Sequence, residues 1–367
     1  MSASVESLPV TPRVPAAAES VREPAAVVRE GVLEVPGPVT LYHGGRLQEL
    51  RIAWRLVGAA QGPVVCALGG ISADRYVCLT DESHPGWWSE VVGPGAALDT
   101  RAFRILSFDY LGGSGDSSAP HAEPAGEGHD AGDAPAGADR GAFPSISSYD
   151  QADALLRLLD HLGLASLAAI AGASYGGMVA LAFGERYPER VGQLILIGAP
   201  DRSHPLATAW RAVQRRIVDF ATACGRPQEG LKLARALAMA SYRSPEELAA
   251  RFGGAVARDG QRFVFPVEEY LFARGSAYAS RYRAECFLCL SESIDLHRVE
   301  AARVFVPSAV VAVREDQLVP LADLRALAAR LPRGRLHEIS SIYGHDAFLK
   351  ESHQLRGIFR AAFGSAT

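Results

Sequence analysis

Three residue types that together make an alcohol nucleophilic occur in one order along this chain: Ser174, then the acidic pair Glu315-Asp316, then His345. Ser174 lies in Gly172-Ala173-Ser174-Tyr175-Gly176-Gly177. The apolar run Leu167-Ala168-Ala169-Ile170-Ala171 before it predicts a short buried strand. Met178 to Phe183 after it predicts a helix that ends near Tyr187-Pro188. A strand, a G-x-S-x-G turn and a helix in succession form a nucleophile elbow, which lifts the serine hydroxyl clear of the backbone.

A serine hydroxyl needs a base within hydrogen-bond reach and a carboxylate that fixes the tautomer of that base. Asp316 follows the apolar run Ala309–Val313 and precedes Leu318-Val319-Pro320, so it fits the acidic role. Glu315 beside it is the alternative. His345, in Tyr343-Gly344-His345-Asp346-Ala347-Phe348 after the last strand pattern, fits the base. His297 competes, but it precedes the acidic strand and breaks the order serine, acid, histidine. The oxyanion formed on attack requires two backbone N–H donors. Tyr175 supplies one by position, and the loop residues Leu68, Gly69 and Gly70 are candidates for the other.

The elements that must hold these groups are legible as alternating patterns. Leu50–Leu56 mixes apolar and basic residues and reads as an edge strand with one wet face. Val64–Leu68 and Phe103–Phe108 read as buried strands, Ser148–Leu162 as an amphipathic helix, and Gln193–Gly198 as another buried strand. Strand patterning then stops from Asp201 to about Glu300, where helical segments take over. It returns at Val304–Val313 and Leu336–Ile339, with helices over 321–331 and 346–363. Alternating strands and helices imply a mostly parallel central sheet flanked by helices, and the helical hundred residues read as an inserted lid. The expected organisation is an N-terminal arm (1–39), a first core part (40–200), the lid (201–300) and a second core part (301–367). Residues 119–143, mostly Ala, Gly, Asp, Pro and His, are expected to form a disordered surface insertion carrying His121 and His129.

Composition narrows the function. A net charge of -4 without a dense Lys/Arg stripe argues against a nucleic-acid partner. No apolar run has membrane-spanning length and no signal pattern opens the chain, so a soluble cytoplasmic protein is expected. The five cysteines have no disulfide-framework spacing. Cys286 and Cys289, one helical turn apart, read as packed thiols rather than a metal or redox pair, and no metal site is expected.

From about Tyr42 to the C-terminus, sparing the insertion, the chain resembles the homoserine O-acyltransferases, a branch of the α/β-hydrolase superfamily that acylates homoserine in methionine biosynthesis. The resemblance rests on Gly86-Trp87-Trp88 with Gly93-Pro94-Gly95, Leu98-Asp99-Thr100, Leu111-Gly112-Gly113 and the elbow with its second glycine. It continues in Gly230-Leu231-Lys232-Leu233-Ala234-Arg235, Ser241-Tyr242-Arg243-Ser244 and Gly344-His345-Asp346-Ala347-Phe348. The tyrosine-bearing elbow, Ser291–His297 and Tyr343–Lys350 look most similar to the homoserine O-succinyltransferase subset. The acetyl-transferring branch has methionine after the nucleophile and a different segment where this chain has Cys66–Ser72.

The resemblance implies an α/β-hydrolase fold with a lid, and the triad Ser174, Asp316 and His345. It also implies that Arg235 and Asp346 bind the amino-acid substrate. An Arg fork suits a carboxylate, and a carboxylate beside the base suits an ammonium. It further implies acyl-CoA as co-substrate, no permanently bound cofactor, and a homodimer formed through lid helices. A succinyl group would bring a second carboxylate, for which the Tyr175 hydroxyl is a candidate donor. Arg211, Arg215, Arg216 and Arg283 are candidate contacts for the CoA phosphates. Homoserine O-acetyl transfer, serine O-succinyl transfer and plain ester hydrolysis use the same triad and remain alternatives.

Overall fold

The computed structural model describes residues 27–80, 84–120 and 143–364. Its frame is an eight-stranded sheet built from β1 (Val27–Thr40), β2 (Arg46–Gly58), β3 (Val64–Leu68), β6 (Arg104–Phe108), β7 (Ala169–Ala173), β8 (Leu194–Ile197), β11 (Ser308–Val313) and β12 (Gly334–Ile339). The spatial order is β1-β2-β6-β3-β7-β8-β11-β12. β1, β2 and β6 pair antiparallel, and every pairing from β6 to β12 is parallel. β4 (Val92–Gly93) and β5 (Leu98–Asp99) form a two-residue ladder outside it.

Buried strands of Val, Ile, Leu and Ala are expected wherever both faces of a parallel sheet are covered. On one face, α1 (Ser148–His161), α2 (Tyr175–Arg186) and α8 (Leu321–Arg330) pack through Leu155, Leu158, Val179, Phe183 and Leu324. On the other, α9 (Ala347–Lys350) and α10 (Ser352–Phe363) pack with Trp88 through Phe348, Leu355 and Phe359. After β3 the chain crosses to β6 on one side, and the next strand, β7, lies on the other side of β3. The loops leaving β3 and β7 therefore frame a switch point at the carboxyl ends of the strands, where α/β sheets place ligands.

Between β8 and β11 lie α3 (Pro205–Ala223), α4 (Pro227–Tyr242), α5 (Pro245–Phe252), α6 (Pro266–Ala279) and α7 (Ala284–Leu296). They share a small core of Val218, Leu231, Ala234, Tyr278, Ala284 and Phe287. An exposed hairpin, β9 (Ala257–Asp259) with β10 (Arg262–Val264), interrupts them, where no strand was expected.

Three expectations require correction. Val27–Thr40, expected within a loose arm, is a 14-residue strand. Its prolines 36 and 38 obscured the pattern, but an edge strand tolerates proline because one side of its ladder is unpaired. Leu50–Leu56 is not an edge: β2 lies between β1 and β6, and its buried Arg55 is neutralised by Glu30 directly across on β1. The C-terminal helix is broken, with a 3₁₀ turn at Gly344–Asp346 before α9 and α10. Residues 1–26 of the arm and 121–142 of the insertion, including His121 and His129, lie outside the described residues. Among the described residues, no helix is long and apolar enough to cross a membrane.

Candidate active site

Ser174 has φ 53° and ψ −121°, the only positive φ on a non-glycine residue among those described. Such a conformation costs about 1–3 kcal/mol and persists only where the surroundings enforce it. Here the enforcement is steric. A Cβ on Gly172 would meet the Gly176 carbonyl oxygen at 2.3 Å, and one on Gly176 would meet the Leu68 carbonyl oxygen at 2.4 Å. The turn thus closes only with glycine at both positions, which is the physical content of the motif.

The strained serine meets its partners in series. Ser174 Oγ lies 2.8 Å from His345 Nε2, and His345 Nδ1 lies 2.7 Å from Asp316 Oδ2. The other oxygen of Asp316 accepts from the backbone N–H groups of Leu318 (2.8 Å) and Val319 (3.0 Å), which fixes the carboxylate ahead of α8. Burial alone would push the His345 imidazole down, but the charge and hydrogen bond of Asp316 outweigh it and hold the ring above its ordinary value. This arrangement suits a base that must accept a proton from Ser174 and carry it briefly.

The competing residues are committed elsewhere. Glu315 accepts from Ser340 Oγ and from the Ser341 N–H, bracing the loop that carries His345. His297 is buried with Nδ1 2.7 Å from Ser148 Oγ, and burial pushes it down to about 4. Neither lines the cavities at Ser174. Cys286 and Cys289 are free thiols on α7, pushed up by burial to about 11 and about 12.

Tyr175 opens α2, and its N–H has no acceptor among the described residues. Of the three loop candidates, Gly70 borders the cavity at Ser174, whereas Leu68 and Gly69 do not. A Cβ on Gly70 would lie 4.0 Å from Ser174 Cβ. The Gly69 carbonyl accepts from the Gly176 N–H at 2.9 Å, so it points beneath α2. In a trans peptide the next N–H points the opposite way, so the Gly70 N–H is directed away from the Gly69 carbonyl, at a residue that borders the cavity.

Two cavities flank the nucleophile, and Ile71, Ser174, Tyr242, Ile294 and His345 line both. The first, about 130 Å³, also contains Arg235 and Asp346. Arg235 sits over the rings of Tyr242 (5.3 Å) and Tyr278 (4.8 Å), with no carboxylate at ion-pair distance among the described residues. Burial opposes its charge, but Tyr242, Tyr278 and Asp346 outweigh that and raise it further. Asp346 is buried 3.2 Å from Arg243 Nη2. The second cavity, about 40 Å³, contains Trp210, Arg211, Gln214 and Ser291. Arg211 there is bound to Asp295 at 2.6 Å, and Arg215 reaches the other oxygen of Asp295 at 2.7 Å.

One expectation fails in this region. The Tyr175 hydroxyl is not available to an acyl group: it is buried, 2.6 Å from Ser293 Oγ, and outside both cavities. The four arginines suggested for CoA phosphates do not form one patch. Arg211 and Arg215 grip Asp295, Arg216 lines an outer groove of the lid, and Arg283 reaches the Gly113 carbonyl at 3.3 Å. Sequence reading also missed the aromatic support of Arg235. Its signal was present, since Arg235 and Tyr242 are seven apart on α4 and so share a helix face.

A family model for the alpha/beta hydrolase fold matches residues 63–352. The homoserine O-succinyltransferase of Xanthomonas campestris pv. campestris is 42% identical over 92% of this chain and 84% of its own. The chain belongs to the homoserine O-acyltransferase family of α/β hydrolases. Another relative is the serine O-succinyltransferase of Litchfieldella anticariensis, 34% identical over 88% of this chain and 95% of that protein. Among solved structures, the L374D mutant of esterase E22 superposes with a TM-score of 0.78 over 92% of this chain and all of that one. At 19% identity that likeness concerns the fold alone. An esterase thus shares this frame.

Proposed function

We propose that this protein transfers a succinyl group from succinyl-CoA to the hydroxyl of L-homoserine, with Ser174 as nucleophile, His345 as base and Asp316 as its orienting carboxylate. The observation that carries the reading is the convergence of Ser174, His345, Arg235 and Asp346 on one cavity. A guanidinium with no carboxylate at ion-pair distance among the described residues suits the carboxylate of an amino acid, and Asp346 suits its ammonium. The relative that transfers succinyl to homoserine, at 42% identity, supports the choice of substrates.

The chemistry runs in two steps. His345 Nε2 takes the Ser174 proton as Oγ attacks the thioester carbonyl, and the Tyr175 and Gly70 N–H groups stabilise the oxyanion. The C–S bond breaks, His345 returns the proton to the departing CoA sulfur, and an acyl-serine remains. Homoserine then enters, His345 removes its hydroxyl proton, and the alkoxide attacks the acyl-serine. Collapse releases the ester, and Oγ recovers the proton. No resident cofactor is required, and acyl-CoA acts as co-substrate. The second cavity suits the acyl chain, with Arg211 as the cation toward which a succinyl carboxylate is drawn.

Cytoplasmic methionine biosynthesis is the setting this reading implies, and the free cysteines suit a reducing compartment. A homodimer through α3 and α4 belongs to the same reading. Val213, Phe220 and Leu233 there are exposed along an apolar groove, with Phe220 72% accessible.

Mass spectrometry of the protein after brief exposure to succinyl-CoA or acetyl-CoA tests the donor. A succinyl adduct on Ser174, discharged by homoserine faster than by serine or water, supports the reading. Equal discharge by water points to an esterase, and faster discharge by serine to the alternative acceptor.

A further inference from the structure

Tyr110 is 3% exposed, and its hydroxyl donates to the Gly69 carbonyl at 2.7 Å. That carbonyl already accepts from the Gly176 N–H, so both of its lone pairs are engaged. The far side of the loop is closed as well. A Cβ on Gly69 would meet Ala73 Cβ at 2.6 Å and the Trp87 ring at 2.9 Å, and Trp87 Nε1 donates to the Asp74 carbonyl at 3.0 Å. The Tyr110 ring itself is fixed edge-on against Tyr175 (5.0 Å) and Phe108 (5.8 Å). The peptide joining Gly69 and Gly70 is thus held by two hydrogen bonds on its carbonyl and by close packing at Gly69. Its N–H is directed the opposite way at Gly70, which borders the cavity in front of Ser174.

We infer that Tyr110 is a positioning residue for the oxyanion hole: its hydroxyl anchors the Gly69 carbonyl and thereby aims the Gly70 N–H at the oxygen that becomes negative during acyl transfer. The inference rests on the acyl-serine reading above. An oxyanion donor contributes only if it is already aligned when the charge develops, so a loosened peptide loses rate and not substrate affinity. The ring contacts explain why tyrosine is needed at this place: phenylalanine preserves the packing, and only the hydroxyl reaches the carbonyl.

The test compares wild type with Tyr110→Phe on p-nitrophenyl acetate, an activated ester that acylates a serine enzyme without CoA or homoserine. The expected result is a fall in kcat of about tenfold, less than the loss of a whole donor, with KM changed by less than about twofold. Affinity for an alkyl trifluoromethyl ketone, whose adduct with Ser174 puts an alkoxide in the hole, is expected to fall by a similar factor. Thermal stability is measured alongside. An unchanged kcat overturns the inference, and so does a joint loss of kcat, substrate affinity (a raised KM) and stability, which marks a structural role. Should Tyr110→Phe fail to fold, 3-fluorotyrosine at 110 keeps the hydroxyl and alters its donor strength. There kcat must move while KM stays, and an unmoved kcat overturns the proposal. Wild-type protein inert to both ester and ketone overturns the acyl-serine reading itself, a result distinct from a reactive wild type with an indifferent variant.

Discussion

The cavities on either side of Ser174 each present an arginine, and the two arginines are held in opposite ways. Arg235 rests on two tyrosine rings and has no carboxylate at ion-pair distance among the described residues. Arg211 is gripped by Asp295, which it shares with Arg215. Aromatic faces orient a guanidinium without neutralising it, so Arg235 keeps its full charge for an incoming ligand. Arg211 is already paired, and a ligand carboxylate gains only the surplus of two guanidiniums over one carboxylate. On the proposed reading, the first cavity would require a carboxylate and the second would prefer one.

The largest effect comes from the triad, whose Ser174 and His345 border both cavities. Ser174→Ala is expected to abolish the acyl adduct. Asp316→Asn is expected to lower the acylation rate by about 10⁴-fold, because the histidine loses its tautomer. Stopped-flow release of CoA reads both. A modest loss in Asp316→Asn would return Glu315 to contention.

Next in size is Arg235→Met. The acyl-enzyme is expected to form at nearly the wild-type rate, while kcat/KM for homoserine falls by about 10²- to 10³-fold, the scale of a lost bidentate charge-assisted pair. Rapid-quench measurement of each half-reaction separates the two. If acylation fails as well, Arg235 does not belong to the acceptor side alone. Arg211→Leu probes the other cavity and is expected to reduce the preference for succinyl-CoA over acetyl-CoA by about tenfold, with homoserine KM unchanged. An unchanged donor preference would remove Arg211 from the acyl site.

How much of this was legible in the residues follows from what each kind of information encodes. The elbow, the buried strands and the order of Ser174, Asp316 and His345 depend on short-range pattern and chain order, and they were readable. β1 was not, because Pro36 and Pro38 hid an alternation that only pairing with β2 makes visible. The roles of Tyr175 and Arg211 were also out of reach. Which way a side chain turns from α2, and which carboxylate meets an arginine on α3, depend on how α7 packs against both. The family resemblance supplied Arg235 as a substrate ligand. Its placement over Tyr278 is a tertiary contact that the spacing on α4 alone cannot reveal.

The smallest expected effect is the most specific to the comparison, because the cavities pull the shared base in opposite directions. Beyond burial and Asp316, the carboxylate of Asp346 raises the His345 imidazole and the guanidinium of Arg211 lowers it. His345 must be neutral to accept the Ser174 proton, so acylation is lost as pH falls through its folded value, which lies above the ordinary 6.5. Removing Asp346 takes away a charge that favours the imidazolium, and the acid limb of kcat/KM for acyl-CoA should move to lower pH. Removing Arg211 takes away a charge that disfavours the imidazolium, and the limb should move to higher pH. Each displacement is expected to be about a few tenths of a pH unit, since these charges act through space rather than by direct hydrogen bonds. Profiles of Asp346→Asn and Arg211→Leu recorded at one ionic strength would show it. Shifts of the same sign in both variants would mean that the base feels a general loosening of the site and not two opposed fields.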